Sequence, residues 1–521
     1  MEASCNLQEK DVNALKAIIV DRDEKIKVRD EEIMLLRERL RLLQAKLFGP
    51  KTEKLNSLIA QEQLALFEIE EPVEETDNEE DEHKETITYE RKKRGRKPLP
   101  DWLPREEVVH DLPEDEKACP CGAPLSCIGK DEWEELKYIP AVIKVLHHIQ
   151  LIYACCRCKG EKSDGPKVTT APAPARLIPK SIAGESLLAH VMTGKFADAL
   201  PFYRQNKQLA RLGIDISRST MCNWTKKIGD WLGPLWNMLL EEAKLRGYIQ
   251  IDETTFQVMK EKGRDNRSKS YVWVIRAGPP GKPIILFKYD PSRSGTVAAD
   301  LLAGYRGIVQ TDGYKGYSFL EDWDGVAHAG CWDHVRRKFA DAVKVGGKYR
   351  KSKKLTYADK ALAKIRKLYQ IEKRATHEGL DIEARYELRQ SETKPHLEKF
   401  HKWLQELQPK ALETSLLGKA ISYTLKQWPK LLVFLDHGYL PVSNQGVENA
   451  IRPLVIGRKN FLFSGHPTGA QASMRIYSIV ETAKAAGWDP FAYLNFLFHE
   501  LPKAESAEHL QLLLPTNPPS L

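Results

Sequence analysis

The sequence predicts a multidomain α+β protein, in which an α/β core is flanked by helical segments. Three observations carry this prediction. Residues 8–48 lack Gly and Pro and repeat apolar residues at heptad spacing, which favours one long helix. Residues 248–331 hold short apolar stretches typical of strands. Residues 175–240 and 340–437 show helical patterns instead.

Length and composition narrow the class further. The chain has 521 residues, of which 42% are hydrophobic and 29% charged, with a net charge of +8. This length is enough for several domains, and the charge permits nucleic-acid binding without requiring it. No apolar run reaches the roughly 18 residues of a membrane helix, and the first residues lack a signal-peptide pattern. We therefore expect a cytoplasmic protein with no membrane partner.

Residues 8–48 predict a coiled coil that joins copies of the chain into a homo-oligomer. Arg22 and Arg29 interrupt the seam, and a single amphipathic helix packed on its own chain is the alternative. The helix should stop at Gly49-Pro50. The heptad positions are occupied by Val12, Ile19, Ile26, Ile33, Leu40 and Leu47.

Residues 49–110 are predicted to be a linker with two opposite charges. Residues 68–85 are strongly acidic and low in complexity, which is typical of disorder. A basic run follows, in which Arg94 and Arg96 flank a glycine and precede Pro98. Such a run resembles a hook whose arginines lie in a narrow minor groove of DNA. A solvated basic linker is the alternative.

Residues 111–165 are predicted to hold a structural zinc ion. The chain has nine cysteines, and most of them lie between Cys119 and Cys158. Two close pairs joined by a hairpin are a common way to supply four tetrahedral ligands, and such a closed site leaves no position for catalysis. The first pair is spaced one residue more tightly than usual, so another residue can replace one ligand, and free thiols are the alternative. The expected ligands are Cys119, Cys121, Cys155 and Cys158, with Cys127, His147 and His148 as substitutes.

Residues 175–240 predict a helix-turn-helix-like region. Gly213 suits the turn, and Ser217 or Ser219 can cap the second helix. Polar side chains near the start of such a helix suit contact with the major groove of DNA, while a plain helical hairpin is the alternative. The expected DNA contacts are Arg218, Asn223 and Lys226.

Three acidic residues stand where a metal-dependent active site needs them. Asp252 lies within a predicted strand, Asp312 at the end of a later strand, and Glu448 at the start of a helix. Two divalent cations about 3.5–4 Å apart, held by such carboxylates, can activate water and stabilise a leaving phosphodiester oxygen. Taken singly, each acid is better explained as a cap or an ion-pair partner. Their joint placement favours an enzyme that cuts or joins nucleic acid.

Basic residues near these acids are candidates for contacts to DNA phosphates. His334, Arg336 and Arg337 follow the fifth predicted strand, although a structural histidine is the simpler interpretation of His334. Arg452 lies one helical turn after Glu448 and can orient its carboxylate or bind phosphate. Arg458 and Lys459 lie farther along the same helix.

The chain resembles the transposases of insertion-sequence family sixty-six, a bacterial group of DDE transposases. The resemblance covers residues 10 to 500 and includes the cysteine pairs. Its segments are LFGPKTEKL, GRKPLPDWLPREEVVHDL, DETTFQV, TDGYKGY, GCWDHVRRKF, VENAIRPLVIGRKNFLFSG and ETAKAAGWDPFAYL.

This resemblance implies an RNase H-like α/β catalytic core made of residues 245–339 and 438–480. A helical insertion, 340–437, separates Asp312 from Glu448, and a helical tail, 481–521, follows. The triad Asp252, Asp312 and Glu448 would bind two Mg²⁺ (or Mn²⁺) ions for DNA cleavage and strand transfer. Expected partners are the element's terminal repeats, target DNA and small companion proteins, in the nucleoid of a bacterium. A catalytically inactive DNA-binding regulator and a nuclease or resolvase of the same fold are the alternatives.

Overall fold

The structure is a computed structural model, and it describes most of the chain from residue 174 onwards. The described residues are 143–149, 151–154, 168–170, 174–278, 282–347 and 355–517, together with Arg22, Lys25 and Arg29. Contacts divide the chain into two compact units: Lys51–Ala173, and Met1–Pro50 with Pro174–Leu521. Arg22, Lys25 and Arg29 are helical and exposed. The rest of the predicted coiled coil, the basic hook with Arg94 and Arg96, and the four cysteines expected to bind zinc lie outside the described residues.

The smaller unit corrects one expectation about the zinc-binding module. A short strand β1, Ile152–Ala154, pairs antiparallel with β2, Val168–Thr170, which follows the second cysteine pair. Residues 143–149, in the middle of the stretch expected to form a hairpin between the pairs, have no regular structure and are exposed. The hairpin prediction is wrong for these residues because alternation of apolar side chains specifies a strand only where a partner strand and a buried face exist.

The larger unit begins with the predicted helical region, which ends with α4, Gly233–Lys244. The helix α2, Phe202–Arg211, and the helix α3, Arg218–Trp231, are joined by a turn in which Gly213 has a φ of 78°. Ser217 caps α3 by accepting a hydrogen bond from the Thr220 amide. The first helix of the region, α1, is Glu185–Phe196.

A five-stranded mixed sheet follows, and its strands lie in the segments that the sequence predicted. The order across the sheet is β5-β4-β3-β6-β7. The first three strands form an antiparallel meander, while β6 and β7 run parallel to β3. The strands are β3 (Tyr248–Gln257), β4 (Lys269–Ala277), β5 (Ile284–Asp290), β6 (Gly307–Gln310) and β7 (Val326–Ala329). The helix between β5 and β6 is α5, Gly295–Leu301.

Helices fill the segment after β7, as the sequence predicted, and they build a core of their own. Trp332, Phe339, Phe400 and Leu404 are buried in this second core, which meets the sheet at Tyr248 and neighbouring apolar residues. The helices are α6 (Trp332–Gly347), α7 (Tyr357–His377), α8 (Ile382–Leu388), α9 (Lys394–Leu407) and α10 (Leu416–Leu432), with a π-helical turn at Arg389–Thr393.

The chain then returns to the sheet through α11, Gln445–Phe461, and α12, Pro467–Ala485. Both helices contribute to the first core, which is shared with the helical region before β3 and with strands β3 to β6. The helices α13, Pro490–Glu500, and α14, Ala507–Leu512, complete the unit. Among the described residues, no helix is both long and apolar enough to cross a membrane.

Candidate active site

Asp252 in β3 and Asp312, two residues beyond the end of β6, lie at equivalent places relative to the pairing of these parallel strands. Gln250 of β3 is the register partner of Gln310 of β6. Each aspartate follows its glutamine by two residues, and a period of two returns a side chain to the same face of a sheet. Adjacent strands are about 4.8 Å apart. The sheet register therefore brings the two carboxylates together.

A buried hydrogen-bond network places the helix that carries Glu448 against this face. Gln250 Nε2 donates to the Ser443 carbonyl at 3.1 Å, just before α11. Gln310 Oε1 accepts from Gln250 Nε2 at 2.9 Å and so joins the two strands. A Cβ atom on Gly446 would lie 2.3 Å from Gln250 Oε1, so only glycine permits this approach. Glu448 consequently sits in the first turn of α11, next to the aspartates.

The three carboxyl groups interact electrostatically. Burial raises the pKa of Asp252 well above its ordinary value, and the charges of Asp312, Glu253 and Glu448 raise it further. Burial also raises the pKa of Asp312, against a hydrogen bond from the Tyr314 amide at 2.8 Å. The pKa of Glu448 is raised by burial too, and the charge of Asp312 adds to this. The site concentrates negative charge that the protein only partly compensates.

The donor set fits a hard divalent cation. Carboxylate oxygens are the ligands that such cations prefer. Asp252 accepts a hydrogen bond from the Glu253 amide at 2.8 Å, and within the described residues it forms no ion pair. Among those same residues, no group of three or more His, Cys, Asp or Glu side chains is already compact enough to hold a metal ion. The three carboxyl groups therefore interact through their charges, but in the described residues they do not form a closed set of metal ligands.

Two residues of α6 border the site at Glu448. Arg337 Nη2 lies 3.7 Å from Glu448 Oε2, and His334 Nε2 lies 3.8 Å from Oε1. Arg337 opposes the rise in the pKa of both Glu448 and Asp312. Burial, together with the charge of Arg337, lowers the pKa of His334 to about 4, so its ring is neutral at pH 7. His334 is therefore a polar neighbour of Glu448 and carries no charge for a phosphate.

The other predicted DNA contacts near the triad differ in their surroundings. Arg336 is exposed and lies over the Tyr369 ring, 5.8 Å from its centroid. Arg458 donates to Thr254 Oγ1 at 2.9 Å and to the Thr255 carbonyl, which ties α11 to the end of β3. Arg452 is half-buried and Lys459 exposed. Of these residues, Arg458 already has a structural role, and all four stay predictions as DNA contacts.

The predicted recognition helix α3 presents its polar residues as expected. Met221 and Trp224 are buried, at 0% and 4% exposure. Arg218 and Asn223 are exposed and Lys226 is half-buried, so these side chains lie off the packed face. Arg218 also lies over the exposed ring of Tyr203 of α2, 5.7 Å from its centroid. A DNA-reading role for α3 stays a prediction.

Four residues that the sequence did not point to border the acidic site. Arg293 forms an ion pair with Glu253 at 2.6 Å and helps to lower the pKa of Asp312. Lys338 Nζ lies 4.4 Å from the ring centroid of Tyr423 on α10, and that ring fills the space beside Gly313. The only local signal for Arg293 was its place in the polar stretch directly after β5, whereas Tyr423 lies in the middle of an ordinary helical pattern.

Comparison with known families gives matches along most of the chain. Residues 180–472 match the model described as the Transposase IS66 family. The chain belongs to this family. Three further models match in the order expected for it: transposase C of IS166 homeodomain at 35–108, the zinc-finger binding domain of transposase IS66 at 116–159, and the IS66 C-terminal element at 478–516.

Similar full-length proteins occur in Sinorhizobium fredii. The uncharacterized protein y4jD is 31% identical over 431 residues, which cover 80% of this chain and 81% of that protein. The uncharacterized protein y4qI is 30% identical over 504 residues, covering 94% and 89% of the two chains. Membership of the IS66 family supports a transposase role, which implies binding of DNA and use of a divalent metal. The match to the zinc-finger model also supports zinc binding in that segment.

Proposed function

We propose that this IS66-family protein is a DDE transposase that cleaves DNA at the ends of an insertion sequence and transfers the freed strand to target DNA. The observation that supports the proposal is the electrostatic interaction of Asp252 with Asp312 and Glu448, which come from β3, the end of β6 and the start of α11. Burial and mutual repulsion raise their pKa values, and a bound cation would relieve this repulsion.

The proposed fold of the catalytic core is RNase H-like. The sheet order β5-β4-β3-β6-β7, with an antiparallel meander followed by two strands parallel to β3, supports this proposal. Further support comes from the helical segment between β7 and α11, which separates the two parts of the core without interrupting the sheet. Ligands of open α/β sheets gather at the carboxyl ends of parallel strands; Asp312 lies just beyond the carboxyl end of β6, and Asp252 lies at the corresponding level in the middle of β3.

The three carboxylates would hold two Mg²⁺ (or Mn²⁺) ions. When bound, such ions activate the attacking oxygen and stabilise the leaving oxygen of a phosphodiester. The Glu253 amide holds Oδ1 of Asp252, and the Tyr314 amide holds Oδ1 of Asp312. Each bond fixes the orientation of its carboxylate and leaves Oδ2 for a further ligand. Arg337 Nη2 lies 3.7 Å from Glu448 Oε2, and this ion pair would orient the carboxylate of the glutamate.

Positioning and charge neutralisation account for the proposed chemistry. Water would attack first and free a 3′-hydroxyl, which would then attack target DNA in a second in-line displacement. Neither step requires a covalent bond to the protein, so no side chain is assigned as a nucleophile. Arg337 and the other basic side chains of α6 would offset the charge of the incoming phosphates.

A strand-transfer assay with labelled element ends, target DNA and Mg²⁺ tests the proposal. The wild-type chain should join ends to target, whereas Asp252→Asn, Asp312→Asn and Glu448→Gln should bind DNA without cutting it. Asp300→Asn, at an exposed position of α5, is the matched control and should retain activity. Cleavage without joining would favour a nuclease or resolvase, and DNA binding without chemistry in the wild type would favour a regulator. The assay should include the element's companion proteins in a parallel arm.

Three further parts of the proposal concern assembly. Residues 8–48 would join protomers so that two element ends are held together, and the match to an N-terminal model of the family supports this. Cys119, Cys121, Cys155 and Cys158 would bind one structural zinc, supported by the zinc-finger match at 116–159. Arg94 and Arg96 would hold the minor groove. Light scattering of a chain lacking residues 8–48 and metal analysis of a Cys155→Ser variant test the first two.

A further inference from the structure

A buried glutamate, next to Asp252 in β3, forms an ion pair with an exposed arginine. Glu253 follows Asp252 on β3 and its side chain is 2% exposed, whereas the side chain of its partner Arg293 is 46% exposed. Arg293 lies in the turn between β5 and α5. Its Nη2 is 2.6 Å and its Nε 2.8 Å from Glu253 Oε1. The pair therefore has a buried anchor and a guanidinium that faces solvent.

The orientation of Arg293 is fixed on several sides. Its guanidinium carbon lies 4.1 Å from the centroid of the Tyr314 ring. The Tyr314 hydroxyl donates to the Arg293 carbonyl at 2.9 Å, while the Tyr314 amide donates to Asp312. The second oxygen of Glu253 accepts from Tyr317 Oη at 2.5 Å. One tyrosine thus ties Arg293 to Asp312, and Glu253 is held by both of its oxygens.

The stability of the sheet does not explain why a buried glutamate lies next to Asp252, because the two charges repel each other. Glu253 adds to the negative charge around Asp252 and raises its pKa. An ion pair whose partner is half-exposed contributes little to stability, so the pair does not offset the repulsion by itself. Its clear result is a preoriented cation beside Asp312, whose pKa Arg293 lowers. Among the contacts of the described residues, those of Arg293 with Glu253 use Nε and Nη2 and leave Nη1 for another acceptor.

We propose that Arg293 binds a non-bridging oxygen of a DNA phosphate next to the triad, and that Glu253 is its positioning residue. The inference rests on the proposed function, because a phosphodiester is the anion that this site would receive. A guanidinium presents fixed donors that match phosphate geometry, and anchoring it beforehand reduces the entropy lost on binding. Arg293 would hold the strand together with Arg337, which borders Glu448.

Salt-dependent DNA binding tests the role of Arg293 without relying on catalysis. Affinity of the full chain for a fluorescent duplex that carries the element's end is measured by anisotropy from 50 to 200 mM salt, with Ca²⁺ replacing Mg²⁺. Each phosphate contact that is lost reduces the steepness of log K against log salt by about 0.9. Between 50 and 200 mM salt, the factor by which affinity falls should therefore be about 3.5 times smaller for Arg293→Gln than for wild type. Arg293→Lys keeps the charge and should keep the slope.

Arg246→Gln is the matched control. Arg246 pairs with Glu242 at 2.7 Å, has a side chain that is 33% exposed, and precedes the first residue of β3, whereas Glu253 lies in the second half of that strand. Its variant should show the wild-type slope. An Arg293→Gln slope equal to that of wild type and Arg246→Gln would overturn the proposal and leave Arg293 with a structural role only. This readout is separate from the proposed function, which fails if the wild-type chain cuts no DNA or if the triad variants still cut.

The role of Glu253 is tested with Glu253→Gln. The variant keeps the charge of Arg293 but loses its charged anchor, so the salt slope should stay at the wild-type value while the cleavage rate falls at saturating DNA. Thermal unfolding provides the structural readout. A lower melting temperature with an unchanged cleavage rate would show that Glu253 only stabilises the sheet and would overturn its positioning role.

Discussion

Replacing Asp252 by Asn should stabilise the protein when no divalent cation is present. The carboxylate is held away from water, close to the charges of Asp312, Glu253 and Glu448, and these factors raise its pKa. Asn keeps the size of the side chain and an oxygen that can accept from the Glu253 amide. The substitution thus removes a repelled charge and preserves the hydrogen bond.

The expected size follows from the cost of an uncompensated buried group, about 1–3 kcal/mol. A change of 1 kcal/mol shifts the melting temperature by about 2–4 °C in domains of 150–250 residues, and by less in a larger unit such as this one. We therefore expect a rise of about 1–4 °C for Asp252→Asn in EDTA. A cation at one hundred times its dissociation constant stabilises its folded target by about 2.7 kcal/mol. In excess Mg²⁺ the wild-type chain should consequently regain or exceed the stability of the variant.

The pH dependence has a definite sign. A carboxyl group with a raised pKa in the folded state binds protons more readily there than in the unfolded state. Below the ordinary aspartate pKa of about 3.9, Asp252 is neutral in both states and the penalty vanishes. As pH rises through the raised pKa of the folded state, the penalty reaches its full size. The advantage of Asp252→Asn should therefore be largest at neutral and alkaline pH and should fade in acid.

Tryptophan fluorescence during heating provides the assay, since Trp273 and Trp332 are buried in the two cores. Wild type, Asp252→Asn and the exposed control Asp300→Asn are compared in EDTA and in Mg²⁺, at pH 5 and pH 8. The control should not reproduce the gain. The reasoning is refuted if Asp252→Asn lowers the melting temperature in EDTA at pH 8, or if Mg²⁺ stabilises wild type and variant equally.

Three other results are expected. Gly313→Ala should cost about 1–3 kcal/mol by overpacking, because its Cβ would lie 2.5 Å from the Tyr423 ring; a double-mutant cycle with Tyr423→Ala should recover most of this loss, and additive losses would contradict the contact. Arg389→Met should cost about 3–5 kcal/mol in denaturant unfolding, because it leaves Glu372, bonded to Arg389 at 2.7 Å, without its buried partner. The cleavage rate should increase with pH as the triad carboxyls ionise. His334→Gln should keep that pH profile between pH 5 and 8, because the pKa of His334 is about 4. If wild type shows a step near pH 6.5 that the variant lacks, the ring of His334 is not neutral.

The strands and the triad could be predicted because their determinants are local. Alternating apolar residues predict β3, and Asp252 interrupts that pattern. Burial of a charged side chain is costly unless it is paired or binds a metal, so this position indicated a functional role. Asp312 was placed at a strand end, and it lies two residues beyond Gln310, the last residue of β6. Glu448 stands in the first turn of α11, as the local pattern predicted. Local patterns therefore predicted where the three acids lie along the chain, and the register of β3 with β6 accounts for the placement of the two aspartates. Their role as a catalytic triad stays a prediction.

The surroundings of the triad could not be predicted because they depend on contacts between distant segments. Nothing in the sequence around Glu253 indicated that Arg293 would pair with it. Tyr423 approaches Gly313 only because α10 packs beside the sheet. Three-dimensional packing selects which of many similar charged and aromatic residues reach the site, and a pattern of single residues does not contain that information.

The position of Glu448 depends on two separate attachments, which explains how a long helical insertion can be tolerated inside the catalytic core. On the sheet side, Gln250 binds the carbonyl of Ser443 just before α11. On the insertion side, the fully buried Arg389 donates to the carbonyls of Phe434 and His437, a few residues earlier. Asp252 and Asp312 need only the pairing of β3 with β6, whereas Glu448 also needs the insertion to dock. Any displacement of the insertion would therefore move Glu448 while leaving the pairing of β3 with β6 intact.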